Sequence, residues 1–162
     1  VIQRRGKFAV QQDFYQNWES YKNGFGNVSE EFWLGNENIR VLCRKGCKIR
    51  FDLVDNKGEK GFALYQNFTL TSGNYTINIS GYSGDAGDAM WRQNNFAFST
   101  KDKGNTERAQ RLKGGWWYED SGVACHPNGV YKPGARDLYS VTWYPWREGE
   151  NLAGVEIKVR AK

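Results

Sequence analysis

From about Gly81 to Tyr144 the chain loses every regular hydrophobic period while staying dense in glycine and aromatic residues. No strand or helix pattern runs through it, yet its aromatic side chains must bury somewhere. Long irregular segments inside a compact domain are usually functional loops carried on a regular scaffold. A coiled coil and a collagen repeat are excluded. Seven Trp, nine Tyr and nine Phe also exclude disorder, because such side chains bury well. The 162 residues fit one domain, long enough to bury roughly 70% of its unfolded surface. No apolar run approaches the ~20 residues that cross a bilayer.

The scaffold is legible on either side of that segment. Alternating apolar residues predict strands at Lys48–Val54, Gly61–Tyr65, Tyr75–Ser80 and Gly154–Arg160, with a turn at Asp55-Asn56-Lys57-Gly58. Asp13-Phe14-Tyr15-Gln16 has the form of a capping box. Phe14, Trp18 and Tyr21 follow at helical spacing, and Gly24 and Gly26 stop the helix. A second short helix is expected over Glu37 to Leu42. No repeat and no linker divides the chain.

Three cysteines are present. Cys43 and Cys47 flank a three-residue turn before a strand, a spacing that suits a short-loop disulfide and lacks the paired pattern of a zinc site. Two free thiols are the alternative. Cys125 is left over, either free or paired outside this chain. Four sequons, at Asn27, Asn67, Asn74 and Asn78, point to a secreted glycoprotein, and the strand alternation puts Asn74 and Asn78 on a wet face. The chain starts at Val1 without Met or an apolar leader, as expected of a processed protein or a piece of a longer one. Its net charge of +5 and pI near 9.1 favour acidic partners, and the scatter of those charges argues against nucleic acid.

Several motifs carry a family likeness. Val1-Ile2-Gln3-Arg4-Arg5, Asp13 to Trp18, Tyr21-Lys22-Asn23-Gly24-Phe25-Gly26 and Glu31 to Ile39 come first. Gly81-Tyr82-Ser83-Gly84, Ala86-Gly87-Asp88, Phe98 to Asp102, Gly114-Gly115-Trp116-Trp117-Tyr118, Asn128 to Tyr131 and the Trp143…Trp146 pair complete the set. Across essentially its whole length the chain resembles a fibrinogen-related domain, the globular module of fibrinogen, ficolins, tachylectins, tenascins and angiopoietins. The resemblance implies an α+β fold: a twisted, mainly antiparallel sheet with short helices and a loop-rich subdomain. It also implies a secreted recognition module that works within a larger or oligomeric assembly. The family's small cysteine-bearing N-terminal subdomain is missing here.

Two family sites can be followed residue by residue. The calcium loop usually carries Asp-x-Asp after Phe-Ser-Thr. Here Asp102 matches the first Asp, Gly104 replaces the second and the loop is short, so no cofactor is expected. The acetyl-binding pocket lies beside a disulfide in the family. Arg108 stands near its first Cys, and direct counting puts Ser121 at the second. With a four-residue insertion Cys125-His126 matches instead, which places His126 and Tyr139 on a pocket wall beside Tyr118, Cys125 and Leu112, the last where the family often has Tyr. A plain turn at His126-Pro127-Asn128-Gly129 is the alternative.

Nothing in the sequence supports catalysis. There is one His, no nucleophile elbow and no phosphate-binding loop, while Asp85 and Asp88 fit turn-bracing roles. Two functions from different classes remain. One is a lectin-like module stacking sugars on aromatics drawn from Trp91, Trp116, Trp117, Tyr118, Tyr139 and Trp143, of which Trp91 is expected to be exposed. The other is a protein-binding module, for which Arg40, Arg44, Lys45, Lys48 and Arg50 offer a basic surface.

Overall fold

A computed structural model describes all residues, 1–162. Its centre is one antiparallel sheet of seven strands. In chain order these are β1 (Gln3–Arg5), β2 (Phe25–Gly26), β3 (Phe32–Trp33), β4 (Cys47–Val54), β5 (Lys60–Leu70), β6 (Ile77–Gly84) and β7 (Gly154–Ala161). Their order across the sheet is β2-β3-β1-β7-β4-β5-β6, so the last strand is an inner one. Strict alternation along β4 and β7 buries Ile49, Phe51, Leu53, Val155 and Ile157 on one face. The other face carries Lys48, Arg50, Asp52, Glu156 and Lys158. One face packs; the other is wet.

Three short helices accompany the sheet: α1 (Trp18–Asn23), α2 (Asn36–Leu42) and α3 (Thr106–Leu112). The expected start of the first helix needs correction. Asn17 is its N-cap, accepting the Ser20 N–H at 2.9 Å, while Asp13 closes a tight turn by accepting the Tyr15 N–H at 2.8 Å. Phe14 still reaches the core, from the segment before the helix.

The strand expected at Tyr75–Ser80 is shifted as well. Tyr75 has φ of 52°, a left-handed conformation that ends a turn, and pairing begins at Ile77. β5 runs five residues beyond its expected end, through Leu70, past an irregularity where Cys47 pairs with Phe68 but Ile49 with Tyr65. The disulfide Cys43–Cys47 is present and joins the end of α2 to the start of β4.

The segment from Asp85 to Ala153 holds no ladder strand, only α3, two 3-10 turns and isolated bridges. It is nevertheless packed down onto the apolar face of the sheet by its aromatics. Trp143 lies 4.9 Å from Phe51, and its Nε1 donates to the Gly87 carbonyl. Trp117 packs against Phe98 and Trp33, and its Nε1 donates to the Tyr75 carbonyl. Irregular backbone is thus fixed by large rings with one polar handle each.

Candidate recognition site

The residues expected to form a pocket wall are brought together, but as core. Leu112, Tyr118, Cys125 and His126 are all buried, His126 completely. The turn His126-Pro127-Asn128-Gly129 is clamped from below by β1. Arg5 donates to the Pro127 and Gly129 carbonyls at 3.1 and 2.7 Å, and Gln3 reaches the Pro127 carbonyl and the Asn128 side chain. Arg5 is itself buried and paired with buried Glu31 at 3.3 Å. The His126 Nε2 lies 2.8 Å from the Tyr118 hydroxyl, which donates to the Gly114 carbonyl. Burial, aided by the Arg5 charge, pushes the His126 imidazole down to about 3, so it is neutral at physiological pH. Of the expected wall only Tyr139 is exposed, at 45%.

Cys125 is not poised for a disulfide either. Its Sγ lies 3.4 Å from the Met90 sulfur, and burial pushes its thiol well up. In the other register, the positions that the family resemblance marks for a disulfide are Arg108 and Ser121. Arg108 donates to the Gly122 carbonyl, one residue from exposed Ser121, so a hydrogen bond ties the helix to the loop there. Asp102, expected at a degenerate calcium loop, accepts the Trp18 N–H at 2.9 Å and the Thr100 hydroxyl at 2.7 Å. At Gly104, φ is +82° and a Cβ would meet the Ser99 Oγ at 2.6 Å, so a carboxylate has no place there. Both bonds fall on Oδ1, and one carboxylate falls short of the six to eight oxygens calcium takes.

The exposed aromatics gather elsewhere. A cleft of about 380 Å³ is lined by Asp88, Ala89, Trp91, Arg92, Val123, Ala124, Leu138, Tyr144 and Pro145. Trp91 is 65% exposed, Leu138 and Tyr144 52% each. Its polar groups are held in place: Asp88 accepts from the Tyr65 hydroxyl and the Trp91 N–H, and Arg92 pairs with Glu119 at 2.7 Å. Gly87 has φ of +91°, and a Cβ there would stand 2.5 Å from Pro145, so the two walls close on a glycine. Such a cleft offers flat apolar faces beside one acidic and one basic group, the combination that orients a small polar ligand. Trp91 was expected to be exposed. Leu138 and Tyr144 were not singled out in the sequence, and the only signal was their place in the aromatic irregular segment.

The four sequon asparagines are all exposed. Two sequons lie in register across β5 and β6, with Asn67 opposite Ser80 and Thr69 opposite Asn78.

The family described as fibrinogen beta and gamma chains, C-terminal globular domain, matches residues 1–162. The chain is 41% identical over 174 residues to techylectin-5A of Tachypleus tridentatus, covering 99% of this chain and 58% of that protein. It is 40% identical to angiopoietin-related protein 7 of Homo sapiens, covering 99% of this chain and 49% of the relative. It therefore spans about half the length of these relatives. The fibrinogen-like globe domain of human ANGPTL2 superposes with a TM-score of 0.89 at 36% identity, covering 99% of this chain and 79% of that one. A lamprey fibrin D-dimer complexed with the peptide Gly-His-Arg-Pro-amide superposes with a TM-score of 0.88 at 29% identity, over 99% of this chain and 60% of that one. With that fold, those motifs and these similarities, the chain belongs to the fibrinogen C-terminal globular domain family.

Proposed function

We propose that this chain is a secreted, non-enzymatic recognition module that binds an acetylated glycan in the Trp91–Tyr144 cleft without calcium. The observation that carries the reading is the cleft itself, where an exposed Trp, an exposed Tyr and exposed Leu138 share one concave surface. Sugar faces stack on such rings, and Asp88 and Arg92 stand at hand for hydroxyl and amide groups. Tyr139, next to Leu138, extends the exposed surface. Leu112, Tyr118, Cys125 and His126 hold the surrounding loops from beneath rather than touching ligand. Similarity to a techylectin supports a sugar ligand. The exposed sequon residues Asn74 and Asn78 are proposed to carry glycan in a secretory pathway.

A glycan array read with calcium and with a chelator tests this. Acetylated sugars should be retained in both conditions and lost in Trp91→Ala and Tyr144→Ala, each by roughly tenfold, or about 1.4 kcal/mol. Unchanged melting temperatures would show both variants folded. Retention that survives both substitutions would move the site elsewhere.

A second reading has its own support. Exposed Trp and Tyr are also the side chains that anchor protein partners, and angiopoietin-related proteins are among the relatives. An array without any retained sugar would favour that reading.

A further inference from the structure

On the wet face of the sheet, β4 and β7 set like charges opposite each other. Lys48 pairs with Arg160, Arg50 with Lys158, and Asp52 with Glu156. Like charges in directly opposed positions destabilise a sheet. The acidic pair is relieved by its neighbours. Lys158 reaches Asp52 at 2.7 Å and Glu156 at 3.5 Å, Arg50 reaches Asp52 at 2.7 Å, and Arg4 reaches Glu156 at 2.6 Å. The Lys48–Arg160 pair has no such relief: both side chains are exposed, and neither forms an ion pair.

The unrelieved charge continues past the strand ends. Arg44 and Lys45 are exposed on the turn that the Cys43–Cys47 disulfide closes. Lys162 is pinned beside that turn, its N–H donating to the Gly46 carbonyl and its Nζ to the Asn67 side chain. Five cationic side chains from two segments more than 100 positions apart therefore lie together, and none of them is paired with a carboxylate side chain. A cleft of about 480 Å³ opens at the Lys48–Arg160 end of this group, lined by Val1, Lys48, Arg50, Lys158 and Arg160 with Leu64 and Val159 between them.

We propose that this cationic group binds a sulfated polysaccharide, at a site separate from the aromatic cleft. The charge sets the sign of the ligand. Its spread over five side chains, with paired cations on adjacent strands about 4.8 Å apart, suits a linear polymer with repeated anionic groups rather than one small anion. The cleft holds no aromatic side chain of the kind that anchors a protein partner. A bound polyanion also resolves the repulsion that the fold leaves standing between Lys48 and Arg160.

The test is heparin binding by the 162-residue chain, measured calorimetrically across a series of salt concentrations. The double variant Lys48→Gln/Arg160→Gln is compared with Lys7→Gln/Lys57→Gln, which removes the same charge from exposed positions elsewhere. The first should bind at least tenfold more weakly and lower the salt slope by about two, one for each cation removed, and the control should bind as the parent does. The melting temperature of the first should stay level or rise, as expected when repulsion is removed. Equal weakening of both variants overturns the proposal, as does heparin binding that is absent at physiological salt. Polyglutamate binding as tightly as heparin overturns it too, by assigning the group to an acidic polypeptide.

Discussion

The hydroxyl of Tyr21 accepts the Gly115 N–H at 3.1 Å and donates its own proton to the Phe14 carbonyl at 2.5 Å. One phenol thereby joins the helix α1, the segment before it and the Gly-Gly-Trp-Trp motif, positions that are 94 residues apart in the case of Tyr21 and Gly115. Its ring packs edge-on against Phe25 and Trp33.

That contact leaves no room for a methyl group. A Cβ on Gly115 would stand 2.7 Å from the Tyr21 ring, so Gly115→Ala must push a packed aromatic aside. The expected loss is about 1–3 kcal/mol, read from the urea midpoint at constant m-value. A loss under about 0.5 kcal/mol would mean that the ring yields freely.

Arg5 holds the His126–Gly129 turn and balances Glu31 in the core. Removing one partner leaves a buried charge, so Arg5→Ala is expected to cost about 3–5 kcal/mol. Arg5→Lys should recover little, because an ammonium cannot reproduce the guanidinium fork to Glu31 and two carbonyls. Near-complete recovery by Lys in a denaturant titration would contradict this geometry.

Acid should unfold the protein partly through His126. Its folded value is held near 3, below the ordinary value of about 6.5. The unfolded chain therefore binds the extra proton between those limits. The His126 contribution to stability is full above pH ~6.5 and is lost as pH falls toward 3, at about 1.4 kcal/mol per pH unit in mid-range. His126→Gln should flatten the stability profile between about pH 6 and 4.5. A parent profile already flat there would refute the buried neutral imidazole.

Cys125 should be silent to thiol reagents in the native protein. It is buried, and burial together with the Glu119 charge raises its thiol well above the ordinary value. One thiol should react once urea unfolds the chain, and the disulfide-bonded Cys43 and Cys47 should not. Rapid native labelling would show that the loop above Cys125 opens.

Asp102 is predicted to matter for the helix and not for calcium. Asp102→Ala should cost about 1 kcal/mol by removing the acceptor of the Trp18 N–H, equally with calcium and with chelator. A melting temperature that rises by several degrees in millimolar calcium would restore a metal role.

Local pattern carried much of this architecture. Alternation placed β4 and β7 within one residue at each end, and the helix from Glu37 was expected one residue late. β1, β2 and β3 are two or three residues long, too short to show a period, and they exist because distant partners complete them. The helix start was misplaced because Asp13 and Asn17 both suit an N-cap, and only packing decides between them. The His126 wall failed for a similar reason. A Cys-His dipeptide reads the same at a rim or beneath it, whereas burial depends on Arg5 and Gln3 over 120 positions away.

The interior position of β7 has a consequence for how this chain comes to be folded. Strands β1 and β4 are both open-edged until Gly154–Ala161 has been synthesised and slots between them, bringing Arg4 to a partner 152 positions away. Closure of the sheet must therefore wait until that last strand has left the ribosome. With such non-local pairing the domain should fold slowly, and its nascent form presents two adhesive strand edges that a chaperone would have to cover.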